Sequence, residues 1–118
     1  KLKKIEPALR AAIDFHSARN RQDFARMREL CTENCLFDPT QAGQENNGQD
    51  ALVNYWQDFF AQHPTAHFEI EQVYGYDPHC VLRWRVQLGN SWERGVDLFR
   101  VKNQQICEIL TYQKSPAP

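Results

Sequence analysis

The chain has no excess of either charge: 14 Lys and Arg stand against 15 Asp and Glu, for a formal net charge of -1. That balance removes the electrostatic case for a nucleic-acid partner. No apolar run approaches the roughly 20 residues needed to cross a bilayer, so no membrane partner is expected. No signal-like segment is visible in the residues present. The sequence also lacks a phosphate-cradling Gly-rich loop, a dinucleotide fingerprint and a Ser-His-Asp pattern, so no cofactor is implied. Cysteine is limited to Cys31, Cys35, Cys80 and Cys107. Cys31-x3-Cys35 with His63-x3-His67 has a superficial zinc-finger look, but residues 36–62 lie between the pairs, against about 12 in that motif. Cys80 and Cys107 fall in strand-like runs, where a free thiol behaves as a small apolar residue. The expectation is reduced thiols, no metal and a cytoplasmic protein.

What is present reads as one domain over 1–118, with no repeat, low-complexity tract or linker. Lys1-Leu2-Lys3-Lys4 is a small basic cluster leading into a helix. Pro7 suits a first turn, and Ile5, Leu9, Ala12, Ile13 and His16 recur at helical spacing. Asp23 caps a short second helix bearing Phe24, Met27 and Leu30. Residues 35–38 form a short extended run, followed by a polar loop through Gly43 and Asn46-Asn47-Gly48. Leu52, Tyr55, Trp56, Phe59 and Phe60 stripe a third helix that ends before Pro64. From Thr65 onward the period changes to alternation, with candidate strands at 66–75, 79–88, 92–102 and 105–113. Helices first and a meander after them indicate an α+β domain.

Asp97, within Gly95-Val96-Asp97-Leu98-Phe99, is the most informative single residue. A carboxylate stripped of water costs several kcal/mol or more, so it finds a partner or stays protonated. Gly89-Asn90 suits a two-residue type II′ hairpin, with Gly at positive φ. Pairing then runs outward from Leu88 with Ser91 to Trp84 with Gly95, Leu82 with Asp97 and Cys80 with Phe99. That register sets Asp97 among Leu82, Trp84 and Phe99, and puts Arg83, Arg85 and Arg94 on the opposite face. Two readings stand. Either Asp97 faces a cavity as an unneutralised acid, or it bonds a backbone N–H, a Tyr, or Arg100 at the strand end.

A two-residue Asn103-Gln104 turn would pair Asp97 with Leu110 and Gly95 with Tyr112. It would bring Tyr112 onto the pocket face but also turn Glu108 inward opposite Phe99. A β-bulge that shifts this register is the expectation.

With these residues in view, the chain resembles the SnoaL-like and ketosteroid-isomerase-like families of the nuclear transport factor 2 superfold over essentially its whole length. Phe37-Asp38-Pro39 looks like the isomerases' Glu-Asp-Pro, and Asp97-Leu98-Phe99-Arg100-Val101 is similar to their Asp-His-Phe-Arg-Phe. The resemblance implies a cone-shaped, curved antiparallel sheet with three amino-terminal helices packed over it, a cystatin-like roll. It implies Asp38 as a proton-shuttling base and Asp97 as a protonated donor to a developing oxyanion, both lining one cavity. Phe15 stands where the isomerases carry an oxyanion-binding Tyr and has no hydroxyl; losing such a donor costs about 100- to 1000-fold in rate. Tyr55 or Tyr112 could supply one instead.

The candidate pocket wall comprises Phe15, Tyr55, Trp56, Phe59, Trp84, Phe99 and Tyr112, although aromatics at helical spacing also read as core. The outer sheet face mixes Val81, Trp92, Val96 and Leu98 with Arg83, Arg85 and Arg94, which suits a homodimer interface. Two functions follow. One is a cofactor-free isomerase, cyclase or hydratase acting on a small apolar carbonyl compound. The other is a non-catalytic module of the same fold that binds a small apolar ligand or dimerises.

Overall fold

A computed structural model describes residues 5–39 and 46–114. The basic Lys1–Lys4 cluster and Gly43 of the polar loop lie outside the described residues. Three helices come early in the chain: α1 (Pro7–Asn20), α2 (Phe24–Leu30) and α3 (Gln49–Gln62). Six strands, β1 (Cys31–Asp38), β2 (Asn46–Asn47), β3 (Phe68–Tyr76), β4 (His79–Leu88), β5 (Ser91–Lys102) and β6 (Gln105–Lys114), form one sheet in the order β2-β1-β6-β5-β4-β3. The four long strands are the meander legible in the sequence. β1 joins it parallel to β6, with Phe37 beside Ile109 and Asp38 beside Leu110, so the sheet is mixed rather than wholly antiparallel. β1 is also twice as long as the short run at 35–38 suggested, because it starts directly at the end of α2.

Local chemistry explains each boundary. Pro7 opens α1 in its first turn, where its missing N–H leaves no bond unmade. The Asp23 carboxylate accepts from the Arg26 backbone N–H at 3.1 Å and starts α2. At the β4–β5 hairpin Gly89 has φ +62°, and Asn90 is not among the positive-φ residues, as a II′ turn requires. The expected register follows: Leu88 pairs with Ser91, Leu82 with Asp97 and Cys80 with Phe99. At the β5–β6 hairpin Asn103 and Gln104 both take positive φ, at 52° and 66°. The anticipated bulge follows this turn, between the Arg100–Glu108 and Val101–Ile106 pairs, and moves Thr111 opposite Asp97.

The buried stripe of α1 differs from the one that its larger apolar side chains suggest. Ala8, Ala11, Ala12, Phe15 and Ala18 are buried together with His16 and Arg19, whereas Ile5 is 47% exposed and Leu9 and Ile13 are only half-buried. The four alanines let the helix axis approach the concave sheet face closely. Both ends of α1 are tied down. The Asp77 carboxylate in the β3–β4 turn accepts from the Ala8 N–H at 2.8 Å. At the other end, Asn20 bonds the N–H and C=O of Phe68 at 2.8 and 2.9 Å.

Candidate ligand-binding site

Along β5 the inward row is Gly95, Asp97, Phe99 and Val101, all buried, while the alternate residues from Arg94 to Arg100 face outward. Asp97 is 1% exposed, as the hairpin register requires. It does not, however, lack a cation. Arg19 of α1, also 1% exposed, donates from Nη1 to Asp97 Oδ2 at 3.0 Å. On the other side Thr111 Oγ1 donates to Asp97 Oδ1 at 2.8 Å. Both carboxylate oxygens are thus occupied as acceptors. The expectation of a stranded, proton-bearing acid fails here, because the neutralising charge comes from the helix rather than from the hairpin. Arg100, the cation considered at the strand end, instead approaches Glu108 at 3.4 Å on the outer face.

Arg19 reaches this position because it lies four residues beyond Phe15 and seven beyond Ala12, on the buried face of α1. That spacing was readable in the sequence. Its guanidinium lies 4.2 Å from the ring centroid of Phe68, 5.0 Å from Trp56 and 5.8 Å from Phe15. Such stacking offsets part of the penalty of burying the charge. Nη2 of Arg19 also meets His16 Nδ1 at 3.4 Å. Because a guanidinium can only donate, Nδ1 is the acceptor in the neutral ring, while Nε2 lies 3.2 Å from Nδ2 of Asn20. Burial first, then the Arg19 charge and His67, lower the His16 pKa from 6.5 to about 4.

Above this network lies a cavity of about 40 Å³. Its inner end is formed by the buried Phe37, Trp56, Phe68, Trp84 and Val86, and its mouth by the half-buried Tyr55, Phe59, Leu88 and Glu93. Drug-sized ligands occupy roughly 300–1,000 Å³, so the cone is nearly filled by its own aromatic side chains. Trp56 packs edge-on against Phe68 at 5.7 Å, and Phe68 against Trp84 at 5.2 Å. The Trp84 indole lies across Gly95, where any Cβ would overlap it. Thr111 belongs to the cavity wall, and its hydroxyl is committed to Asp97. At the mouth, Gln113 donates to Glu93.

Of the residues expected in the wall, Tyr55, Trp56, Phe59 and Trp84 line this cavity. Phe15 and Phe99 are not in its lining; they pack on each other in the core, with centroids 5.8 Å apart. Tyr112 is 62% exposed on the outer face, placed there by the bulge. Phe37 and Pro39 line the cavity, so the pleat turns Asp38 to the opposite side of β1. Asp38 Oδ1 is buried there without a hydrogen-bond partner. The two acids therefore do not share a cavity, which the two-acid scheme requires. All four cysteines are free. Burial pushes the Cys80 thiol up to about 11, and the adjacent Cys35 together with burial raises Cys31 further.

A curled sheet closed by helices around an aromatic cone defines the class: a nuclear transport factor 2-like protein. Residues 12–109 match the model of the SnoaL-like domain, and the chain belongs to that family. A structure of a proposed ketosteroid isomerase from Kribbella flavida is similar with a TM-score of 0.86 and 12% identity, covering 95% of this chain and 81% of its own. An NTF2-like protein of unknown function from Mesorhizobium loti shares 26% identity at a TM-score of 0.80, over 98% of this chain and 99% of its own. IdmH from Streptomyces antibioticus, a proposed polyketide cyclase, gives 14% identity and a TM-score of 0.80, over 93% of each chain. No curated protein matches the sequence.

The buried imidazole makes a pH dependence. Its folded pKa lies below the unfolded value, so its contribution is complete above pH 6.5 and is lost as the pH falls towards 4. Over that window wild-type protein should lose about 2–3 kcal/mol more stability than His16→Asn, measured by urea unfolding at several pH values. Parallel losses in the two proteins would show that His16 is not held neutral by its surroundings.

Proposed function

We propose that this SnoaL-like protein is a non-catalytic binder of a small apolar molecule, which sits in the aromatic mouth of the cone, and that it works as a homodimer. The observation carrying this reading is the closed base of the cone. Arg19 and Thr111 occupy the Asp97 carboxylate at 3.0 and 2.8 Å, beneath a cavity of only about 40 Å³. Proton transfer of the kind that the resemblance to the isomerases implies needs a base and an acid facing one void. Here Asp38 lies on the other side of β1, and Asp97 is ion-paired with Arg19 and bonded by Thr111 rather than facing the cavity as a free acid. What remains is an apolar, ring-lined entrance of about 40 Å³, which a single-ring compound would enter by displacing the half-buried Tyr55 and Phe59.

The dimer reading rests on the outer sheet face. Val81, Val96, Leu98 and Leu110 are half-buried there, and Tyr74 and Tyr112 are exposed. Three of its arginines are already paired within the protomer: Arg85 with Glu69 at 2.9 Å, Arg94 with Glu71 at 3.5 Å and Arg100 with Glu108 at 3.4 Å, while Arg83 has no ion pair among the described residues. Pre-paired charges lower the desolvation penalty of docking, so a second copy of this face is the partner that suits it.

Each half of the proposal has its own test. Ethylbenzene titrated into the protein should shift the Trp84 and Tyr55 NMR resonances saturably, with Kd about 0.1–1 mM. Asp38→Asn should bind it equally well. Turnover of a cyclic ketone that disappears in Asp38→Asn would replace the binding role with an enzymatic one. Light scattering should give twice the chain mass for wild type and the single chain mass for Leu98→Arg. A monomeric wild type would remove the dimer.

A further inference from the structure

We infer that Cys31 and Cys35 are a reversible oxidation site, in which a low-molecular-weight disulfide converts the two thiols of β1 into one intramolecular disulfide. The register of β1 supplies the geometry. Cys31 lies beside Ile106 and Leu36 beside Glu108, so β1 advances from 31 to 36 while β6 advances only from 106 to 108. Two steps of strand cover about 7 Å, against about 16 Å for five. The extra residues arch out of the ladder, with Thr32 half-buried and Glu33 and Asn34 exposed. The chain returns at Cys35, and both cysteines at the feet of the arch are 0% exposed. A regular strand would hold two residues at this spacing about 13 Å apart. The arch instead brings their Cα atoms towards the roughly 4.4–6.8 Å that a disulfide spans.

Hydrogen bonds fix both feet of the arch. The Cys31 carbonyl accepts from Nε2 of Gln49 at 2.9 Å and from Nε2 of Gln105 at 3.3 Å, and the Cys35 carbonyl accepts from the Gly48 N–H at 2.8 Å. The thiols themselves are joined by a hydrogen bond, which raises the pKa of Cys31 and lowers that of Cys35. Cys35 is therefore the thiolate that attacks the oxidant, breaking its S–S bond, forming a mixed disulfide and expelling one small thiolate. Cys31, deprotonated in turn, attacks the Cys35 sulfur and expels the second. The pair gives up its protons and electrons to two molecules of small thiol. β2 pairs only with Leu36 and Phe37, so among the described residues no strand covers the outer edge of the arch. Local opening there uncovers the sulfurs without disturbing the meander. The other cysteines are turned elsewhere. Cys80 is on β4, separated from β1 by β6 and β5, and the Cys107 thiol donates to the Arg100 carbonyl at 3.4 Å.

The test treats the native protein with oxidised glutathione, removes the oxidant, and alkylates the remaining thiols with iodoacetamide in guanidinium chloride. Mass spectrometry should find alkyl groups on Cys80 and Cys107 only, and Cys31 linked to Cys35 with a loss of about 2 Da. Dithiothreitol should return all four cysteines to the alkylated form. Near-ultraviolet circular dichroism should survive the oxidation, since the arch already holds the thiols together. The double variant Cys80→Ala/Cys107→Ala should oxidise as wild type does, and Cys35→Ala should form no internal bond. If Cys35→Ala does not fold, wild type and the double variant still decide the matter. Four alkylated cysteines after oxidation would overturn the site. So would glutathione retained as a stable adduct, a bond from either thiol to Cys80 or Cys107, or loss of the folded spectrum.

Discussion

The guanidinium of Arg19 and the carboxylate of Asp97 hold the interior together, and most of the molecule can be understood from how they are brought into contact. One comes from residue 19 of the first helix and the other from the third meander strand, and both are 1% exposed. Neither charge is tolerable without the other: removing one partner of such a pair typically costs about 3–5 kcal/mol. The pair therefore fixes the depth and rotation of α1 over the sheet. Asp77 and Asn20, bonding at either end of that helix, keep it in line with β3. The same guanidinium, stacked on Phe68 and Trp56, organises the aromatic cluster that fills the cone.

This arrangement is the basis of the proposed binding role. An acid at this strand position can serve chemistry only if it faces a void and keeps a free oxygen or proton. Arg19 neutralises the Asp97 carboxylate, Thr111 lies between it and the cavity as its hydrogen-bond donor, and the aromatic wall removes most of the space. The fold then offers a small aromatic-lined entrance and a sheet face on which three arginines are already paired with carboxylates. These surfaces support the proposed recognition of a ligand and of a second subunit.

Much of the fold was legible because sheet register is set by short-range chemistry. Gly89-Asn90 determined the turn, and strict alternation through Cys80–Val86 determined which side faced inward, so the placement of Asp97 followed correctly. The bulge near Arg100 was legible through its penalty, since the alternative buried Glu108 against Phe99. The helix was harder. Weighing residues at helical spacing placed its stripe on Ile5, Leu9, Ala12, Ile13 and His16, of which Ala12 and His16 are buried, whereas the packed side is rotated towards alanines that permit close approach to the sheet. That rotation concealed Arg19, the residue that decides the chemistry of the site. Considering only the cations of the hairpin and of the strand end left Asp97 without a partner. The facing direction of Asp38 depends on how β1 pairs with β6, a parallel contact between distant segments that no turn residue announces.

A thermodynamic double-mutant cycle between Arg19→Met and Asp97→Asn measures the central interaction most directly. Each single variant leaves its former partner buried and uncompensated, while the double variant removes the charges together. The account predicts a coupling free energy of about 2–3 kcal/mol, with the double variant more stable than the sum of the single losses. Additive losses, with no coupling, would show that the two groups do not hold each other and would contradict the account.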